Sequence, residues 1–196
     1  PFMGKSLEEI AETLGMTINP ANKSEVPRIV KRILGIKGKG TKLDKIDEFS
    51  KANIEFKTIR LEPDGLPMQS MSFEHVDFNS WLNEEWEDSV LYKRFSEIKF
   101  LFAIFEYKEP YKKGLDRVLY LKGIKLWNMP VSTIENEIKG LWDNVREIVT
   151  QGVVLSDEKR GNKIIQTNNL PKIGFNGVAH IRPKGKNGND KVALPD

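Results

Sequence analysis

The chain has 196 residues and not one cysteine. That excludes a disulfide framework and any thiolate metal site, and it fits a reducing cytoplasm. No apolar run approaches the ~20 residues that a membrane-spanning helix needs, so no membrane partner is expected. Pro1-Phe2-Met3-Gly4-Lys5 lacks the pattern of a signal peptide. There is no internal repeat and no low-complexity tract. A start at Pro1 and a stop at Leu194-Pro195-Asp196 suggest a piece cut from a longer protein. Histidine is scarce: only His75 and His180 occur. His180 reads as a packed or hydrogen-bonded strand residue rather than a general base. His75 precedes a predicted turn and has no evident partner.

What is present supports a packed core. Hydrophobic residues make up 39% and charged residues 30%, which argues against a disordered chain. The net charge of +3 conceals segregation. Arg28, Lys31, Arg32, Lys37, Lys39, Lys42 and Lys45 share the stretch Pro27 to Ile46 with a single acid, Asp44. The stretch Lys159 to Lys191 is also basic, with Asp190 as its one acid. Glu74 to Asp88 is acidic throughout, without Lys or Arg. Two basic segments suit a polyanion partner, although solvated loops give the same composition.

Ser6-Leu7-Glu8-Glu9 is a capping box opening a helix with Leu7, Ile10, Ala11 and Leu14 on one side, and Gly15 can end it. Ser24-Glu25-Val26-Pro27 starts a second helix that Gly35 ends. Gly35 to Thr41 is a basic loop, and it lacks the G-x-x-x-x-G-K-S/T spacing of a phosphate-binding loop. Lys99 to Tyr107 is nearly all apolar and reads as a central strand buried on both faces. Arg117 to Trp127 reads as another strand, bent at Gly123. Ser132-Thr133-Ile134-Glu135 reads as a second capping box. The helix behind it carries Ile134, Ile138, Leu141, Trp142, Val145 and Val149 as a core stripe ending near Gly152. Short strands are predicted around Lys163 to Thr167 and Val178 to Arg182. The order of elements indicates an α+β, or mixed α/β, single domain over residues 1–196.

The run Asn53-Ile54-Glu55-Phe56-Lys57-Thr58-Ile59 carries the chemistry. On a strand, Glu55 and Lys57 share one face while Ile54 and Phe56 face a core. Glu48 lies seven positions before Glu55. Acid-x6-Glu-x-Lys is a ligand layout of metal-dependent nucleases: two carboxylates hold Mg²⁺, and the lysine orients or deprotonates the attacking water. Alone, an E-x-K strand is also the pattern of a solvated sheet face.

Four stretches together resemble the family of the MutH mismatch-repair nuclease and the Sau-three-AI-type GATC restriction endonucleases. They are Lys5 to Ala11, Ile54-Glu55-Phe56-Lys57-Thr58-Ile59, Leu141-Trp142-Asp143 and His180-Ile181-Arg182-Pro183-Lys184. Ser70 to Phe73, Asn83 to Ser89, and Lys122 to Lys125 through Met129-Pro130 are similar to the C-terminal half of the restriction enzymes. The resemblance covers nearly the whole chain. It implies a restriction-endonuclease-like (MutH-like) fold, a mixed central sheet flanked by helices with a cleft for duplex DNA, in a bacterial cytoplasmic protein. In the two-domain enzymes the N-terminal half cuts, and the C-terminal half binds a second GATC site as an allosteric effector. This chain resembles that second half. The implied partners are GATC-containing double-stranded DNA and the catalytic N-terminal half of the same parent chain.

The family's metal site is Asp-x6-Glu-x-Lys plus a helical Glu. Here the matching catalytic and metal positions are Glu48, Glu55 and Lys57, and the helical acid, counted back from Gly35, is Lys31. A lysine there disfavours a nearby cation. The expectation is therefore a degenerate site that binds DNA and cuts poorly or not at all. The rival is a Mg²⁺-dependent endonuclease using Glu48, Glu55 and Lys57. The resemblance assigns GATC reading to Arg182 and Lys184, with Lys186 and Asn187 extending that loop. Lys37, Lys39 and Lys42 suit phosphates. Arg fits the O6 and N7 acceptors of guanine. A third reading is a protein-interaction module using the acidic segment with Trp81 and Trp86.

Overall fold

The computed structural model describes residues 1–19, 22, 24–36, 49, 51–73 and 75–182. The chain divides into two compact units, one formed by Pro1–Phe73 with Glu97–Asn128, the other by Glu74–Ser96 with Met129–Asp196.

The first unit sets two helices on a mixed three-stranded sheet. Helix α1 (Leu7–Thr13) starts on the predicted capping box. The Ser6 hydroxyl accepts from the Glu9 amide at 3.1 Å, and the Glu9 carboxylate accepts from the Ser6 amide at 2.7 Å. Helix α2 (Glu25–Ile33) puts Lys31 and Arg32 in its last turn, where cations complement the negative end of the helix. Its chain then reverses at Gly35, whose φ of 72° is cheap only without a Cβ.

Strand β1 (Ile54–Leu61) pairs parallel with β2 (Lys99–Tyr107), and β2 pairs antiparallel with β3 (Leu119–Trp127). The apolar run Lys99 to Tyr107 is thus the central strand, as its composition predicts. A register shift at Ile104/Phe105 pairs Ile104 with Gly123 and Phe105 with Leu121, so the irregularity falls where the bend at Gly123 was expected. Residues before α1 add to the β3 edge, where the Gly4 amide donates to the Leu121 carbonyl at 2.8 Å. One sheet face packs Ala103, Phe105, Leu119 and Leu121 against Ile10 of α1 and Ile29 of α2. Burying that apolar stripe is what fixes the helices on the sheet.

The second unit is built on helices. Helix α3 (Phe78–Asn83) is capped by Asp77, which accepts from the Asn79 amide at 3.0 Å. Helix α4 (Val90–Ser96) follows. A longer helical run comprises α5 (Val131–Thr133), a π-helical turn (Ile134–Ile138) and α6 (Lys139–Gln151). Its predicted stripe is the core: Ile134, Ile138, Leu141, Trp142 and Val145 are all buried. Gly152, at φ 94°, ends it. Trp86 lies 5.4 Å from Trp142, ring centre to ring centre. Trp81 and Trp86 are buried, so the tryptophans of the acidic segment form core rather than a contact surface.

Two local expectations are corrected here. Ser132 caps nothing, because the helix begins at Val131 after Pro130 and its start carries no side-chain cap bond. Glu135 instead accepts the Trp86 indole N–H at 3.1 Å. Val178 to Arg182 is not a strand. The Asn176 side chain takes the Val178 and Ala179 amides at 3.0 Å each, a local turn that competes with sheet pairing.

The unit also carries a two-stranded hairpin, β4 (Leu155–Arg160) and β5 (Lys163–Asn168). Sequence reasoning anticipated only its second strand. Among the described residues, no helix is long and apolar enough to cross a membrane.

Candidate functional site

Glu55 and Lys57 do share a face of β1. The Lys57 Nζ lies 2.7 Å from Glu55 Oε1. Alternation along β1 places them away from the helix-packed face, while Phe56 packs against the α1–α2 core. Asn53, with φ of 51°, sets the strand's start, and its carbonyl accepts from the Lys99 amide at 2.8 Å. That bond locks the beginning of β1 beside the beginning of β2. The register then sets Glu55 opposite Phe100 and Lys57 opposite Phe102.

Lys57 is held by more than Glu55. Its ammonium donates to the Ser72 carbonyl at 3.2 Å and sits 5.1 Å from the centre of the Phe73 ring. A carboxylate, a carbonyl and a π-face thus converge on one cation. Phe73 in turn meets Phe100 edge-on at 5.7 Å. Phe100 stacks on Phe102, and both rings pack against Trp127. Ser72 and Phe73 were not foreseen as partners of Lys57, and nothing in their local sequence marks them as such. Side-chain exposure is 21% for Lys57 and 13% for Glu55, so the pair is partly withdrawn from water.

A magnesium ion needs several oxygen ligands. Glu48, the first acid of the motif, lies outside the described residues. Among the described residues there is no group of three acids or histidines able to hold a metal. Glu55 is the one carboxylate of the motif that is described, and it faces an ammonium. Lys31 stands on α2 where the resemblance calls for an acid. The described residues therefore do not by themselves fit a magnesium site.

Arg182 is exposed in the second unit, at the end of the described chain. Lys37, Lys39, Lys42, Lys184, Lys186 and Asn187 all lie outside the described residues. Of the residues named from sequence for chemistry, the structure brings together Glu55 and Lys57.

A second ionic centre went unforeseen. The Arg117 guanidinium forks onto both oxygens of Glu62, at 2.5 and 3.1 Å. It also lies 3.8 Å from the centre of the Tyr107 ring and 5.5 Å from that of Tyr111. The hydrogen bonds to Glu62 raise the Arg117 pKa against the opposing effect of burial. This clamp ties the chain after β1 to the ends of β2 and of the 108–118 connection.

Comparison with known proteins bears on this site. No protein-family model matches the chain. The chain is related in sequence to a type II restriction enzyme, with 31% identity over 95% of its own length. That relative is Sau3AI of Staphylococcus aureus, and the chain spans 39% of its length. The mixed sheet with flanking helices described above is compatible with an α+β restriction-enzyme-like fold.

Proposed function

We propose that this chain is a sequence-specific duplex-DNA-binding module of a type II restriction enzyme, with a MutH-like fold, that recognises GATC and acts as an allosteric effector. Residues 1–196 serve as one such region, and its protein partner is the catalytic N-terminal half of the same parent chain. The observation that carries the non-cutting part of this reading is the state of Lys57. Among the described residues its ammonium is engaged by Glu55 and the Ser72 carbonyl, and no set of carboxylates stands beside it. Identity to a type II restriction enzyme along nearly the whole chain supports DNA as the ligand. The exposed Arg182 is assigned to guanine, and Lys37, Lys39 and Lys42 to phosphates. Lys184, Lys186 and Asn187 extend the reading loop.

A second reading is favoured by one observation, the adjacency of Glu55 and Lys57 on one strand face. In it the chain is a Mg²⁺-dependent endonuclease that cuts at GATC through Glu48, Glu55 and Lys57. Incubation of the chain with a GATC duplex and Mg²⁺ separates the two. The effector reading expects binding without cleavage. Cleavage that disappears in Lys57→Ala would establish the enzyme instead.

A further inference from the structure

The hairpin β4–β5 has no role in the reading above. Among the described residues its strands pair only with each other. Side chains facing each other across an antiparallel pair, and those two apart on one strand, lie on one face. The register pairs Asp157 with Gln166 and Lys159 with Ile164, so these four share a face. All four are exposed, Ile164 to 74%. The opposite face carries Ser156 and Thr167, whose hydroxyl oxygens lie 3.0 Å apart and link the strands. A two-stranded ribbon with an isoleucine in water is marginal by itself and gains by burying that face against a partner.

We propose that this hairpin is a base-reading ribbon that enters the major groove of duplex DNA with Asp157, Lys159, Ile164 and Gln166 toward the base edges. The proposal rests on the DNA-binding reading given above. A major groove about 12 Å wide admits a two-stranded ribbon. The tip is narrow, because Gly161, at φ 58°, turns the chain within the two residues between the strands. Lys159, exposed beside the tip, adds a positive charge that suits a polyanion. The face itself is chemically sorted. Lysine suits guanine O6 and N7, and glutamine suits adenine N6 and N7. Aspartate accepts from cytosine N4, and an apolar side chain meets the thymine methyl. An aspartate would be repelled by phosphates, which favours a base-edge role over backbone contact for this face.

The test uses the whole chain and fluorescence anisotropy at fixed salt, with Ca²⁺ present. Three duplexes are compared: GATC, a scrambled site of equal composition, and GATC with its thymines replaced by uracil. The uracil duplex removes only methyl groups and needs no protein variant. Wild type is expected to bind the uracil duplex about four-fold more weakly, the worth of one buried methyl-sized group. Ile164→Ala should lose a similar factor on GATC and become indifferent to uracil. Gln166→Ala should lose about ten-fold on GATC and little on the scrambled site. Suppose wild type prefers GATC, binds uracil and thymine duplexes alike, and keeps its full preference in Ile164→Ala and Gln166→Ala. The hairpin is then not the reader, and the DNA-binding reading stands without it. Equal binding of wild type to GATC and scrambled duplexes would overturn both.

Discussion

Replacing Lys57 by methionine keeps most of the side-chain volume and removes the cation. In wild type that ammonium lies 2.7 Å from Glu55 and 3.2 Å from the Ser72 carbonyl, with the Phe73 ring beside it. Glu55 is 13% exposed, so without the lysine its charge sits in a poorly solvated place. Breaking a fully buried pair costs about 3–5 kcal/mol, and an exposed pair is worth about 0–1 kcal/mol. A pair of intermediate exposure should fall between these limits, at about 1.5–2.5 kcal/mol. Glu55→Gln should cost less, about 1 kcal/mol, because the lysine's long stem can carry its charge toward water. In the double variant no charge is stranded, so the two costs should fail to add by about 1 kcal/mol. Urea denaturation followed by circular dichroism gives the totals, and amide exchange along Ile54–Leu61 locates the loss in β1. A Lys57→Met protein within about 0.5 kcal/mol of wild type would refute the claim that Lys57 balances a poorly solvated Glu55 charge.

Other outcomes follow from the same geometry. Arg117→Ala should destabilise by about 2–3 kcal/mol, since it strands Glu62 and removes a guanidinium stacked on Tyr107. Arg117→Lys should recover only part of this, because an ammonium cannot fork onto both oxygens. The raised Arg117 pKa adds stability that is lost only as pH rises through a value above the ordinary arginine range. Stability scans from pH 6 to 9 should therefore show the same Arg117→Ala penalty throughout. Trp142→Ala, at a side chain only 2% exposed, should cost about 3–5 kcal/mol in the same denaturation assay. Arg182→Ala should lower the preference for GATC over a scrambled duplex by about 1–3 kcal/mol, and an equal loss on both would remove Arg182 from base reading.

The sequence disclosed those parts of the fold where local signals agree with tertiary packing. Ser6 and Glu9 form the capping box their spacing announces, because both partners lie within one turn. The run Lys99 to Tyr107 becomes the central strand because only a position between two strands satisfies its backbone and both its apolar faces. The Glu55–Lys57 pair was legible because strand alternation is a strict period of two. Failures came where a distant residue outbids a local pattern. Glu135 was read as a helix cap, but the Trp86 indole, far away in sequence, takes its carboxylate. Val178 to Arg182 has strand composition, yet the Asn176 side chain captures two of its amides. Ser72 and Phe73 meet Lys57 only after the chain has turned back, and no period carries that information. The first strand of the hairpin, Leu155–Arg160, was missed because its polar residues hide the alternation. Gly161-Asn162 between two extended runs was the available signal.

Binding of this chain to a GATC duplex against a scrambled duplex of equal composition, in Ca²⁺ so that nothing is cut, tests the central claim most directly. The account predicts clear preference for GATC, with affinity that falls steeply as salt rises. Equal, weak binding to both duplexes would contradict it.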